Sequence, residues 1–140
     1  MTTSKLNIPI GNCPNVDEAN NSPLFSLDGI IAEGRVPSVY DLDSFDVSVN
    51  IFNQNVRFKT RMLGVDAPEL RNRNLLQKKL AYMGRDRVKE LCLNKIVKIY
   101  FKGSDKYGRE LVEIKLEDDS DLGEILINDK LAQYYDGGSK

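Results

Sequence analysis

The sequence predicts an α+β domain that is mainly β: a five-stranded barrel with a long helix between strands three and four and a short C-terminal helix. Three observations predict it. Apolar and polar residues alternate in several short runs after Gly29, the period of half-buried strands. Between Arg71 and Leu93 the apolar spacing changes to three or four, the period of an amphipathic helix. Turn residues separate the runs, at Asn53-Gln54-Asn55, at Asp66-Ala67-Pro68 and from Gly103 to Gly108.

The 140 residues suffice for one domain with its own core. Residues 1–27 read as a partly ordered or disordered flank, rich in Asn, Ser and Thr, with Leu24-Phe25 docking on the domain. The domain itself spans residues 28–136, and 137–140 form a tail. Strand one covers Ile30 to Tyr40. In strand two, Phe45, Val47, Val49 and Ile51 alternate with Asp46, Ser48 and Asn50. Strand three returns from Val56 to Val65, and Asp66-Ala67-Pro68 ends it. The helix places Leu76, Leu80, Met83 or Gly84, Val88 and Leu91 inward, and Asn94 stops it. Strand four runs from Lys95 to Lys102 and strand five from Arg109 to Leu116. A short helix from Asp121 to Leu131 follows, and Tyr134-Tyr135 pack the end of the barrel. Three strands, a helix and two strands is the order of an OB-fold barrel, a fold that commonly binds oligonucleotides. A five-stranded sheet of another topology is the alternative.

Composition narrows the chemistry. The absence of His excludes His-based triads, zinc proteases of the H-E-x-x-H type and nucleases with a His base. Any metal would meet oxygen ligands, which suits Ca²⁺ or Mg²⁺. Cys13 and Cys92, the only cysteines, read as two unrelated thiols. No apolar run approaches the ~20 residues of a bilayer span. With no signal-peptide pattern in this chain, a cytoplasmic monomer without membrane contact is the expectation. Net charge is −1, yet from Arg61 to Arg109 there are 13 Lys and Arg against 5 Asp and Glu. That excess fits either ordinary exposed faces or a basic surface for a polyanion.

Polar groups concentrate in three stretches at strand ends: Tyr40-Asp41-Leu42-Asp43-Ser44, then Arg61 with Asp66 and Glu69, then Asp105-Lys106-Tyr107-Gly108-Arg109. Each alone is also an ordinary turn or helix start. Arg61 is less ordinary. It sits beside apolar Met62 and Leu63, so a fixed cation there needs an anionic partner or an anionic ligand. It lies five residues before Asp66, which puts the two on opposite faces of a strand unless a turn or bulge intervenes.

Together, "DLDSF", "RMLGVDAPE" and "DKYGR", in this order and spacing, resemble the staphylococcal (micrococcal) nuclease family over roughly residues 29–135. The resemblance implies a Ca²⁺-dependent endonuclease that hydrolyses DNA and RNA to 3′-phosphorylated products. One Ca²⁺ is implied, with Mg²⁺ the lesser alternative. Asp43, Asp66 and the main-chain carbonyl of Ala67 would be direct ligands, with Asp41 in the outer shell. Glu69 matches the water-activating glutamate, and Arg61 and Arg109 the two phosphate-binding arginines. Lys106 and Tyr107 match residues lining the nucleotide pocket. Leu42 stands where the family generally has Gly, so a turn with φ > 0 there would be strained. A catalytically silent OB-fold module that binds nucleic acid or protein is the alternative function.

Overall fold

Five strands pair edge to edge until the sheet closes on itself. In the computed structural model, which describes residues 6–68 and 73–135, these are β1 (Ile31–Asp41), β2 (Ser44–Ile51), β3 (Gln54–Met62), β5 (Ile96–Ser104) and β6 (Glu110–Lys115). Two short strands, β4 (Val65–Asp66) and β7 (Gln133–Tyr134), pair separately. The helices are α1 (Val16–Asn20), α2 (Leu75–Cys92) and α3 (Leu122–Asn128). Around the barrel the order is β1-β2-β3-β6-β5 and back to β1. Every seam is antiparallel except β3–β6, which is parallel. This is the predicted five-stranded barrel, consistent with an OB-fold, and it replaces the alternative topology. Glu69, Arg71 and the tail at 137–140 lie outside the described residues.

Strand periodicity builds the core. Phe45, Val47 and Val49 of β2, Val97, Ile99 and Phe101 of β5, and Val112 and Ile114 of β6 are all buried. Phe58 meets Phe101 edge to face at 5.7 Å between centroids, a favoured aromatic geometry. Asn94 ends the α2 region in the left-handed conformation, at φ 61°, which Asn tolerates better than most residues. Its N–H donates to the Val36 carbonyl at 2.8 Å, tying the helix end to β1.

Several local expectations are corrected. The third strand is not continuous to Val65. It stops at Met62, and the chain turns through Gly64 at φ 85° before β4. The β2–β3 turn is Phe52-Asn53, both at positive φ, one residue earlier than expected. That is the two-residue turn whose twist matches a hairpin. Asp46 does not face solvent with its polar neighbours. It is 3% exposed, accepting bonds from Tyr40 Oη at 3.0 Å and Arg57 Nε at 2.7 Å. Of the expected inward row of α2, Gly84 and Val88 are buried, but Ala81 and Cys92 complete the row and Leu76 is exposed. Leu24 and Phe25 do not dock, being 95% and 80% exposed; Leu27 is the flank residue that enters the core.

Cys13 and Cys92 are both free, the first exposed and the second buried. Burial pushes the Cys92 thiol up to about 12. Among the described residues no helix is long and apolar enough to cross a membrane.

Gly34 marks the tightest strand approach. It sits in β1 opposite Val49 on one side and Val97 on the other. A Cβ there would run into the Ser48 carbonyl oxygen and lie 2.7 Å from Val49 Cγ1. The obstacle includes backbone, so it cannot swing aside. Gly34→Ala is expected to destabilise the domain by about 3 kcal/mol, the upper part of the overpacking range. Urea unfolding of the two proteins checks this, and equal midpoints would contradict the close approach.

Candidate active site

The first acidic stretch is the link between β1 and β2, where only Leu42 and Asp43 lie outside the strands. The β1–β2 register slips between Val39 and Asp41. Such a bulge breaks simple alternation and re-aims side chains. Leu42 is not at positive φ, so the expected strain does not arise. Its side chain instead turns inward, 2% exposed, and seats on α2 at Gly84. A Cβ at Gly84 would come within 2.6 Å of Leu42 Cδ1. The missing side chain on the helix makes room for the extra one in the loop.

Arg61 pairs with Ser44 across the β2–β3 seam, beside this loop. Its Nη2 lies 3.7 Å from Asp43 Oδ2, the anionic partner its apolar neighbours call for. The Met62 N–H donates to the Asp43 carbonyl at 2.8 Å, which fixes the loop against the end of β3. The turn at Gly64 then resolves the spacing problem. It interrupts the strand between Arg61 and Asp66, and both side chains line one cleft.

The third stretch is organised by Asp105. Its Oδ1 accepts the N–H groups of Tyr107 and Arg109, each at 2.9 Å. Its Oδ2 accepts from Arg109 Nε at 2.8 Å. Gly108 supplies the positive φ, 83°, that the turn requires. Burial opposes ionisation of Asp105, but the bonds from Arg109 and Tyr107 outweigh it and hold the carboxyl below its ordinary value.

These stretches meet in a cleft of about 1190 Å³. Asp41, Asp43, Arg61, Asp66, Ala67, Lys106, Tyr107 and Arg109 all line it. Of the nine expected site residues, only Glu69 lies outside the described residues. Tyr40, from the first polar stretch, lines the cleft as well, as do Arg85 and Tyr135, which the sequence did not single out as site residues. Tyr135 reaches it because β7 pairs with β4 and the Tyr135 N–H donates to the Gly64 carbonyl at 3.0 Å. Tyr134 is 78% exposed, so neither tyrosine caps the barrel as expected. Asp105 was also missed as the group that orients Arg109. Its place at the head of an Asp-x-x-Gly turn was the available signal.

The electrostatics bear on whether a cation suits the acids. Burial pushes the Asp43 carboxyl up from its ordinary value; Arg61 pulls it back, while Asp41 and Asp66 add to the rise. Asp41 Oδ1 is buried and, among the described residues, accepts no hydrogen bond. Among those residues no three His, Cys, Asp or Glu side chains gather into a ready-made metal site. Two carboxylates with one main-chain carbonyl would not form such a group. The donors are hard oxygens, and a hard divalent ion would relieve both the crowded acids and the orphaned oxygen, so the set fits one.

Two outcomes follow from this geometry. Gly84→Ala should gain up to ~1 kcal/mol of helix propensity only where Leu42 has been shortened to Ala. With Leu42 present the clash cancels or reverses that gain. A double-mutant cycle by urea unfolding should therefore give a coupling of about 1–3 kcal/mol, against near zero if the two residues are independent. Asp105 has a folded pKa below its unfolded one, so its contribution is present above the unfolded value and lost as pH falls through the folded one. The stability gap between wild type and Asp105→Asn should be full at neutral pH and shrink below the ordinary carboxylate value of 3.8. A gap independent of pH would remove the charged bond to Arg109 as its cause.

No curated protein matches the chain in a sequence comparison. A family model described as staphylococcal nuclease homologue matches residues 59–140. The match takes in Arg61, Asp66, Glu69 and the Lys106 to Arg109 turn; Asp41 and Asp43 precede it, and they share the cleft with Arg61, Asp66, Lys106, Tyr107 and Arg109. With more than half of its length matched, the chain belongs to the staphylococcal nuclease homologue family.

Proposed function

We propose that the chain is a Ca²⁺-dependent nuclease that hydrolyses phosphodiester bonds of DNA and RNA and leaves 3′-phosphorylated products. One observation carries the reading. In a chain of this family, carboxylates from two separate turns share a cleft with Arg61 and Arg109.

Asp43, Asp66 and the Ala67 carbonyl would hold the ion, with Asp41 acting from the outer shell. When bound, the ion supplies Lewis acidity toward a phosphate oxygen and a lowered pKa for its water. The remaining work falls to the chain's own groups. Arg61 and Arg109 offer guanidinium forks that match phosphoryl oxygens and oppose the charge that develops there. Asp105 holds Arg109 Nε, which leaves the terminal guanidinium nitrogens to meet the phosphate. Lys106 and Tyr107 line the place for the nucleotide; Lys106 Nζ is 5.3 Å from the Tyr107 ring centroid. The role of Glu69, accepting or steering the proton of the attacking water, rests on its sequence position three residues after Asp66.

The competing reading is a silent binding module, and one assay separates the two. Wild type, Glu69→Gln and Arg109→Ala are incubated with single-stranded DNA in Ca²⁺ and in chelator. Cleavage should need Ca²⁺. It should fall by at least ~100-fold in either variant, the usual loss for a general base or a charge-stabilising donor. Folded wild type that binds DNA in Ca²⁺ without cutting it would overturn the nuclease reading in favour of the module.

A further inference from the structure

The cleft is larger than one reacting nucleotide needs. At about 1190 Å³ it exceeds the roughly 300–1,000 Å³ of most small-molecule sites. Its wall also carries a cation that the chemistry above does not use. Arg85 comes from α2 rather than from the barrel.

Three features define its state. Its guanidinium lies over the Tyr82 ring, 4.8 Å from the centroid, which limits how far it can swing. Its carboxylate neighbour is Asp86, at 3.2 Å and 63% exposed. Arg85 is itself 25% exposed, but its partner is open to water, which screens the pair, so a phosphate can displace Asp86 at modest cost. Finally, Gly84 precedes it in the chain and receives Leu42 from between Asp41 and Asp43. The seat fixes the helix turn bearing Arg85 against the loop bearing the acids.

We propose that Arg85, backed by Tyr82, binds the backbone phosphate of a nucleotide adjoining the one that is cut, so that α2 forms a flanking-phosphate subsite. The subsite rests on the nuclease reading for its relation to the cut, while its affinity for a strand does not. A dinucleotide has a single phosphodiester and cannot reach both places. A longer strand can.

The test compares wild type, Arg85→Ala and Arg85→Lys on a dinucleotide and a single-stranded DNA 12-mer in Ca²⁺. The same proteins are titrated with the labelled 12-mer in chelator from 50 to 200 mM salt. Arg85→Ala should lower kcat/KM for the 12-mer relative to the dinucleotide by about tenfold, mainly through KM. It should reduce the slope of log affinity against log salt by about 0.7, one phosphate contact on a single strand. Arg85→Lys keeps the charge and should restore most of the slope. Equal losses on both substrates, or an unchanged slope, overturn the subsite. If wild type binds but does not cut, the nuclease reading fails and the slope alone decides the subsite. If wild type shows no salt-dependent binding, both fail.

Discussion

The closure of the barrel by the parallel β3–β6 seam is the constraint on which the site depends. Three pairs make it, Thr60 with Glu110, Arg61 with Leu111 and Met62 with Val112. Closing so long a loop costs chain entropy, and burial of Met62 and Val112 within the seam helps to offset it. Because the two strands run the same way, the C-terminal end of β3 lies beside the N-terminal end of β6. Arg61 is in the first of these segments and Arg109 immediately precedes the second. Two like charges far apart in sequence are thus delivered to one cleft. Asp43 and Asp105, one beside each, offset the repulsion.

The helix supplies the second wall, and its placement depends on a volume exchange. The turn at Gly84 is where that exchange occurs. Leu42 fills the space that a side chain there would occupy, so the acidic loop and the helix face are registered by packing rather than by a polar bond. Packing of this kind resists deformation because protein interiors are dense. It also places the basic excess noted in the sequence. Arg61, Arg85, Lys106 and Arg109 face the cleft, whereas Arg87 pairs with Asp129 and Lys98 with Asp119 elsewhere. The excess is thus divided between the cleft and ordinary exposed faces paired with acids.

Much of the barrel was legible in the sequence because strand burial follows a period of two. Phe45, Val47 and Val49 needed nothing more. The three polar stretches were legible because they sit at strand ends, where turn chemistry is visible. What failed depends on neighbours distant in sequence. Asp46 sits on the polar side of the alternation and is buried only because Tyr40 and Arg57 close over it. The inward face of α2 was legible at Gly84 and Val88 but not at its start, where Leu76 looks more apolar than Ala81, and at Gly84 the seat for Leu42 selects smallness. Tyr135 and Arg85 reach the cleft through the β4–β7 pairing and the docking of α2, which no local pattern announces.

The arginines show how one residue type is divided among tasks. What decides the role of each is how strongly its own carboxylate competes with a ligand. Arg57 is bound to Asp46, an acid buried in the sheet, and a ligand that took the guanidinium would leave that charge stranded. Such an arginine is structural. Arg109 gives Nε to Asp105, an acid already occupied by two main-chain N–H groups, and keeps its outer nitrogens for other work. Arg61 stands 3.7 Å from Asp43, longer than a good charged hydrogen bond, so the pair is poised rather than closed. Arg85 bonds Asp86, a neighbour on its own helix whose carboxylate is 63% exposed and so screened by water. Surrendering the guanidinium costs most at Arg57, and the other three all line the cleft. Competition of this kind separates a cation that holds the fold together from one that is left available to a ligand.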